Sequence, residues 1–173
     1  MSDTPTGLQV RASLGGSDTA VSTGLPVLDH LLGLMARTGG FGLKLEVAPG
    51  GADEEVAAAG RALGEAFVDE LHSSAARGYG SATIPAAEAL AHVALEASER
   101  PLVVSNVDLT RAHVGGLQFD VVDRFLRELA EGGVLTLHVR LLQGDEAANV
   151  LEAIFKSLGA ALAQACRPLP RKE

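Results

Sequence analysis

The chain has 173 residues, of which 47% are hydrophobic and only 3% aromatic, so its core must be aliphatic and rich in alanine. A formal net charge of −8 argues against a nucleic-acid surface, because phosphate contacts require clustered Lys and Arg side chains. Cys166 is the only cysteine, which excludes an internal disulfide and a cysteine-based zinc site, and in an alanine-rich helix end it is typical of core packing. No apolar run is long enough for a transmembrane or signal segment, so we expect a soluble cytoplasmic protein.

Hydrophobic periodicity predicts strands that alternate with amphipathic helices. In the first half of the chain, the expected elements are extended segments at residues 8–14 and 19–23, a helix from residue 24 to Gly39-Gly40, a strand over 41–47 and a helix over 54–71. In the second half, they are extended segments at 81–85, 89–96 and 102–107, a helix from residue 119 to Gly132-Gly133, a strand over 134–141 and a helix over 146–165. The glycine pair that closes the first helix of each half is typical of a left-handed C-cap.

The two halves of this element list resemble each other. The Gly-Gly pairs lie 93 residues apart, and Leu63-Gly64 lies 95 residues before Leu158-Gly159, so an internal duplication is the simplest interpretation. Strands followed by helix, strand and helix in each half predict an α+β fold with two sheets and the helices packed between them. We place the two half-repeats at residues 1–83 and 84–173 and expect them to form one compact unit.

Five segments carry a resemblance to a known family. Residues 23–32 read Thr-Gly-Leu-Pro-Val-Leu-Asp-His-Leu-Leu and resemble its Thr-Gly-(Ile/Leu)-x-Phe-Leu-Asp-His-Met-Leu. Residues 80–90 resemble its Gly-Ser-Ala-x-x-Pro-Met-Asp-Glu-Ala, residues 98–101 its Ser-Gly-Arg-Pro, residues 135–140 its Leu-Thr-Leu-His-Ile-Arg, and residues 152–156 its Glu-Ala-x-Phe-Lys. Their common order along nearly the whole chain identifies a resemblance to the imidazoleglycerol-phosphate dehydratases.

The resemblance implies a ribosomal S5 domain 2-like fold and the removal of water from imidazoleglycerol phosphate in histidine biosynthesis. It further implies two manganese ions held largely by a His-His-x-x-Glu motif at the start of the second helix of each half. Positions i, i+1 and i+4 share one flank of a helix, so two imidazoles and a carboxylate can converge on metal there. The family assembles as trimers that build a larger homo-oligomer, with active sites shared between subunits.

This chain departs from the family at the His-His-x-x-Glu positions. In the first half the three positions carry Asp53, Glu54 and Ala57, and in the second half they carry Ala148, Asn149 and Glu152. Only Glu152 matches, so four histidines and one carboxylate are missing. Too few ligands then remain for two ions, because bound metal needs several deprotonated donors at fixed geometry.

Several residues keep the family identity. By resemblance, His30, His138 and Glu152 would ligate metal, and all three together with Lys156 would take part in catalysis. Arg100 and Lys156 would hold the substrate or its phosphate. Asp53 and Glu54 are candidate replacement ligands for a hard cation such as magnesium.

Most of these residues also have an ordinary structural interpretation. His30 is explained by hydrogen bonding within a leucine-rich helix, and Glu152 with Lys156 by an exposed i,i+4 ion pair. Asp53 and Glu54 suit the positive end of a helix dipole. The remaining histidines, His72, His92 and His113, match no ligand position of the family and are expected in surface or interface roles.

Three functions remain open at this point. The first and favoured one is a catalytically impaired relative that keeps the scaffold for binding or assembly, with itself as partner and no manganese or only weakly bound manganese. The second is a working lyase with an altered metal site. The third is a binding protein or enzyme for a phosphorylated small molecule.

Overall fold

The computed structural model describes residues 10–14, 18–48, 51–108, 113–114 and 117–170, with the backbone alone described at residues 10–14, 52, 113–114, 117 and 119. Its elements are β1 (Val10–Leu14), β2 (Thr19–Ser22), α1 (Pro26–Gly39), β3 (Leu43–Val47), α2 (Ala52–Leu71), β4 (Tyr79–Ala86), β5 (Ala89–Ala97), β6 (Leu102–Ser105), β7 (His113–Val114), β8 (Leu117–Gln118), α3 (Phe119–Gly133), β9 (Leu135–Gln143) and α4 (Ala147–Cys166). The predicted extension of the first strand to residue 8 and the side chain of His113 lie outside what is described.

The α+β fold with two main sheets is confirmed. The first sheet has the strand order β1-β3-β2 and the second has β4-β5-β9-β6, with β7 and β8 forming a separate two-stranded ribbon. In each sheet a helix connects two parallel strands, α1 between β2 and β3 and α3 between β6 and β9. The strand on the other side of the pair, β1 or β5, runs antiparallel.

The internal duplication therefore has a topological counterpart, because each element from β1 to α2 has an equivalent between β5 and α4. The predicted boundary between residues 83 and 84 falls inside β4, a strand of the second sheet. The division into half-repeats remains a prediction. None of the described helices is long and apolar enough to cross a membrane.

The four helices meet in two pairs, α1 with α4 and α2 with α3, and α4 also packs against β4 and β5. The core between them is mainly Leu, Val and Ala, as the composition predicts. Phe125 and Phe155 are among its largest buried side chains, and their ring centroids lie 5.6 Å apart. Burial of these apolar faces is the main favourable term that holds the two halves together.

Glycines set the distance between the paired helices. A Cβ atom added to Gly159 of α4 would overlap the carbonyl oxygen of Met35 in α1, and one added to Gly64 of α2 would overlap the carbonyl oxygen of Leu129 in α3. Gly159 and Gly64 are equivalent in the repeat, as are Met35 and Leu129. Both helix crossings thus depend on direct backbone contact that any larger residue would prevent.

The predicted glycine C-cap is present in the first half and wrong in the second. Gly40 ends α1 with φ 71°, and its N–H bonds to the carbonyls of Ala36 and Arg37. In the second half α3 continues through Gly133, and Val134 takes the left-handed conformation with φ 50°. Gly132 is required for a different reason, because an added Cβ atom would overlap the carbonyl oxygen of Arg61 in α2.

His72, which follows α2, binds the end of α3. Its Nε2 atom lies 3.0 Å from the carbonyl oxygen of Gly133 and 2.9 Å from that of Val134. These carbonyls belong to the last turn of α3, where backbone acceptors lack partners within the helix. A histidine that matches no ligand position in the family therefore has a structural role between two helices.

We predict that Gly159→Ala lowers the free energy of unfolding by about 2–3 kcal/mol, because the new methyl group forces α1 and α4 apart. Gly33→Ala in α1 is the matched control, since its added Cβ would meet only the end of Arg37 at 3.8 Å. The control should be neutral or more stable by up to about 1 kcal/mol, from the helix propensity of alanine. Urea unfolding at one protein concentration measures both, and equal effects would contradict the role of the helix crossing.

Candidate functional site

The candidate site lies where the first turns of α1 and α4 approach each other. Pro26 occupies the first turn of α1, where its missing N–H costs nothing and its fixed φ suits the helix. Asp29 holds the segment before α1 in place, because both the N–H and the hydroxyl of buried Thr23 donate to the Asp29 Oδ1 atom, at 2.9 and 2.5 Å. The direction in which α1 leaves β2 is thereby fixed, and with it the position of His30.

His30 and Glu152 are brought together by this arrangement. The His30 Nε2 atom lies 2.8 Å from Glu152 Oε1, with 54% and 33% of the two side chains exposed. The alternative pairing of Glu152 with Lys156 is not formed, because the Lys156 ammonium donates instead to the carbonyl of Pro85 at 3.4 Å. Two family-identical residues from opposite halves of the sequence thus meet across the helix pair.

His138 lies on a different surface of the chain. It faces outward from β9, while its neighbours Leu137 and Val139 are buried on the side that faces the helices. It lines a cavity of about 340 Å³ on the outer face of the second sheet, with Tyr79, Glu96 and Thr136 among the other lining residues. A single chain therefore does not place His138 beside His30 and Glu152.

The other predicted site residues are also separate. Arg100 lies in the turn between β5 and β6 with its side chain exposed, and its carbonyl accepts hydrogen bonds from Ser98 and Thr136. Asp53 and Glu54 are exposed in the first turn of α2. Among the described residues no three His, Cys, Asp or Glu side chains form a group that could hold a metal ion.

Asn149, one of the departures from the family motif, has a hydrogen-bond partner in the structure. Asn149 donates to Glu88 Oε2 at 2.7 Å, which joins the start of α4 to the turn between β4 and β5. Hydrogen bonds from its own backbone N–H, from Asn149 and from the backbone of Glu146 lower the pKa of the Glu88 carboxyl, against an opposing effect of desolvation. Glu88 was not predicted as a site residue, although its place in a tight turn next to the family motif was a usable signal.

Arg77 is a second residue that the sequence analysis did not single out. Its guanidinium stacks over the Tyr79 ring at 4.3 Å from the centroid, a cation–π contact. Its Nε atom is buried and has no hydrogen-bond partner among the described residues. A cation therefore lies next to Tyr79, which lines the same cavity as His138.

The donor set of one chain does not fit a two-manganese centre. It brings together one imidazole and one carboxylate, whereas each ion would need several nitrogen and oxygen ligands. Ala57 and Ala148 have no donor atom, and the amide of Asn149 is already bonded to Glu88.

Comparisons with known proteins give a consistent result. The family model described as imidazoleglycerol-phosphate dehydratase matches residues 23–162. A protein of that name from Pelobacter propionicus is 38% identical over 164 residues, which cover 92% of this chain and 84% of that one. Another from Moorella thermoacetica is 39% identical over 178 residues, covering 98% and 89%.

Solved structures agree with these relatives. The crystal structure of the Pyrococcus furiosus enzyme in complex with (S)-C348 superposes with a TM-score of 0.87 at 27% identity, covering 99% of this chain and 96% of that one. The structure of imidazoleglycerol-phosphate dehydratase from Staphylococcus aureus gives a TM-score of 0.86 at 28% identity, with 95% and 96% covered.

Cys166 ends α4 beside Glu70 and lies outside the group formed by His30 and Glu152. Burial, and next the negative charge and hydrogen bond of Glu70, raise the pKa of the thiol to about 12. The thiol is therefore protonated near neutral pH and unsuited to nucleophilic attack, which agrees with the interpretation of Cys166 as a packing residue.

We predict slow alkylation of Cys166 by iodoacetamide at pH 8. A thiol pKa of about 12 instead of 9.0 leaves about a thousandfold less thiolate at this pH. The greater nucleophilicity of a more basic thiolate offsets part of this loss, so the alkylation rate of the native protein should be about 30-fold below the rate in urea. Glu70→Gln should raise the native rate by removing the adjacent charge. Equal rates in native and unfolded protein would contradict the described burial.

Proposed function

The chain belongs to the imidazoleglycerol-phosphate dehydratase family, and from that premise we propose that it keeps the family scaffold as a binding or assembly protein without catalysing the dehydration. The observation that carries the proposal is the set of side chains at the six His-His-x-x-Glu positions. Four of them have exchanged an imidazole for Asp53, Glu54, Ala148 and Asn149, and a fifth has exchanged a carboxylate for Ala57. Of the retained candidates, only His30 and Glu152 are in contact.

Ligand loss on this scale has a predictable effect on metal affinity. Removing even an outer hydrogen-bond partner of a metal ligand weakens binding about 10–100-fold. Loss of five direct ligands should therefore reduce manganese affinity far below the concentrations at which two ions could be held. Among the described residues Asp53 and Glu54 belong to no group of three potential metal ligands, which supports the proposal that they do not replace the missing ligands within one chain.

We include self-association in the proposal. His138 lies on the outer face of the second sheet, so a site that combined it with His30 and Glu152 would need a second copy of the chain. Exposed apolar side chains on or beside that sheet, Leu102, Val104 and Leu142, are suited to contact with such a copy. Even then the combined site would contain three of the predicted ligands, too few for two ions.

The test is elemental analysis of protein purified with manganese present, combined with a dehydratase assay on the same sample. We expect less than about 0.1 manganese ion per chain and no turnover above the background rate, because metal affinity follows from ligand number and geometry. The control is a variant in which the five positions are restored, with Asp53→His, Glu54→His, Ala57→Glu, Ala148→His and Asn149→His. It should bind manganese at higher occupancy than the natural chain.

Two results would contradict the proposal. Stoichiometric manganese with turnover in the natural chain would show that other ligands complete the site, and the search would begin at Asp53 and Glu54. Turnover that persists after removal of metal would show a different dehydration chemistry. Size-exclusion chromatography with light scattering on the same sample would test the assembly, and a monomer at micromolar concentration would contradict self-association.

A further inference from the structure

A cavity of about 290 Å³ lies between the first turns of α1 and α4. Its walls are formed by Pro26, Val27 and Leu31 on one helix and by Ala148 and Leu151 on the other, and His30 and Glu152 complete the lining. The walls are therefore apolar, and the polar atoms are confined to the single bonded pair. A concave apolar site with few polar groups is the usual form of a small-molecule pocket.

Two of the motif departures shape this cavity. Val27 stands where the family motif has Phe, and Ala148 stands where it has the first His of the second His-His-x-x-Glu motif. Both are replacements of a ring by a small aliphatic side chain, and both line the same cavity from opposite helices. The space is thus a property of this chain and not of the motif it resembles.

The His30–Glu152 pair has two polar atoms available to a ligand. Glu152 Oε1 is bonded to His30 Nε2, and no other hydrogen bond to either side chain is present among the described residues. Glu152 Oε2 is an acceptor with a negative charge, and with a neutral imidazole the Nδ1 atom of His30 is a second acceptor. Two acceptors next to apolar walls select a ligand with several N–H donors on an apolar body.

We propose that this cavity binds a small organic cation, a single apolar ring carrying an amidinium or ammonium group. The proposal rests on the proposed function, since manganese held by His30 and Glu152 would occupy the same atoms. The ring fills the space beside Val27 and Ala148, and the cationic group donates to Glu152. A planar amidinium fits best, because its parallel N–H groups can donate to Oε2 and to Oε1 of the carboxylate. Oε1 can accept this bond in addition to the one from His30, since each carboxylate oxygen has two lone pairs.

The negative charges near the cavity outweigh the positive ends of the two helices and favour a cation. The N-terminal ends of α1 and α4 each contribute a partial positive charge of about half a unit, which favours anions. Pro26 removes one free N–H from the end of α1, and the carboxylate of Glu146 precedes α4. The full charge of Glu152 lies at the cavity itself, and the chain has a net charge of −8. The cavity volume of about 290 Å³ is just below the roughly 300–1,000 Å³ of small-molecule sites, which limits the ligand to about one ring.

The experiment is isothermal titration of the full chain, after removal of metal, with benzamidine, benzyl alcohol and benzoate at pH 8 and low salt. We expect saturable binding of one benzamidine per chain, about tenfold weaker binding of benzyl alcohol, and none of benzoate. Ala148→Leu should reduce benzamidine affinity at least tenfold by filling the cavity, and Val27→Phe is the second filling variant. Glu152→Gln should remove the preference for the cation, whereas Glu65→Gln on the exposed face of α2 should leave it unchanged.

Repeating the titration with manganese separates the two proposals. Benzamidine binding that is unaffected by manganese supports both. Displacement by manganese would contradict the proposed function, because metal would then hold the His30–Glu152 pair, whereas saturable benzamidine binding without manganese would still support the cavity proposal. The cavity proposal alone would be overturned if the natural chain holds no metal and benzamidine does not bind saturably. The same conclusion would follow if benzamidine binds but both filling variants leave its affinity unchanged. In either case the proposed function would remain intact.

Discussion

Backbone contact between paired helices is the constraint on which the rest of this structure depends. Gly159 lies against Met35, and Gly64 lies against Leu129, at equivalent places in the two halves. At each crossing a Cβ atom would overlap a carbonyl oxygen, so the helices approach as closely as two backbones can. Close approach brings the aliphatic faces of all four helices into one core, which compensates for the scarcity of aromatic side chains.

The same constraint determines the candidate site. Because α1 and α4 are held close at Gly159, their first turns are near enough for His30 to reach Glu152 at 2.8 Å. The pair is partly exposed, and its contribution to stability is expected to be small. Its importance is that it closes one side of a cavity whose walls include the two small residues Val27 and Ala148.

Two residues of α4 that the family resemblance singled out bond to the second sheet. Asn149 bonds to Glu88, and Lys156 bonds to the carbonyl of Pro85, so both connect α4 to the hairpin formed by β4 and β5. These contacts support the packing of α4 on the second sheet without any metal. The chain is 38–39% identical to relatives named as dehydratases.

Local sequence features were sufficient for the elements and the family. Alternation along residues 135–141 predicted the buried and exposed faces of β9, and the equivalence of Leu63-Gly64 with Leu158-Gly159 predicted the duplication, because both depend on periodicity within short segments. The second glycine C-cap was predicted wrongly, since nothing near Gly132 in the sequence reveals that α2 lies against it. The contacts of Asn149 with Glu88 and of His72 with the end of α3 were missed for the same reason.

The sequence by itself determined the fold class and the family, since both follow from residue identity and spacing. It also predicted the repeat and the loss of metal ligands at five motif positions. Only the tertiary structure decided that His30 pairs with Glu152, that His138 faces away from them, and that Val27 and Ala148 share one cavity. The pairs His30–Glu152 and Val27–Ala148 join residues more than 100 positions apart, and both pairs depend on how closely the helices cross. The physical reason is that spacing along the chain fixes periodicity, whereas distances between elements are set by packing.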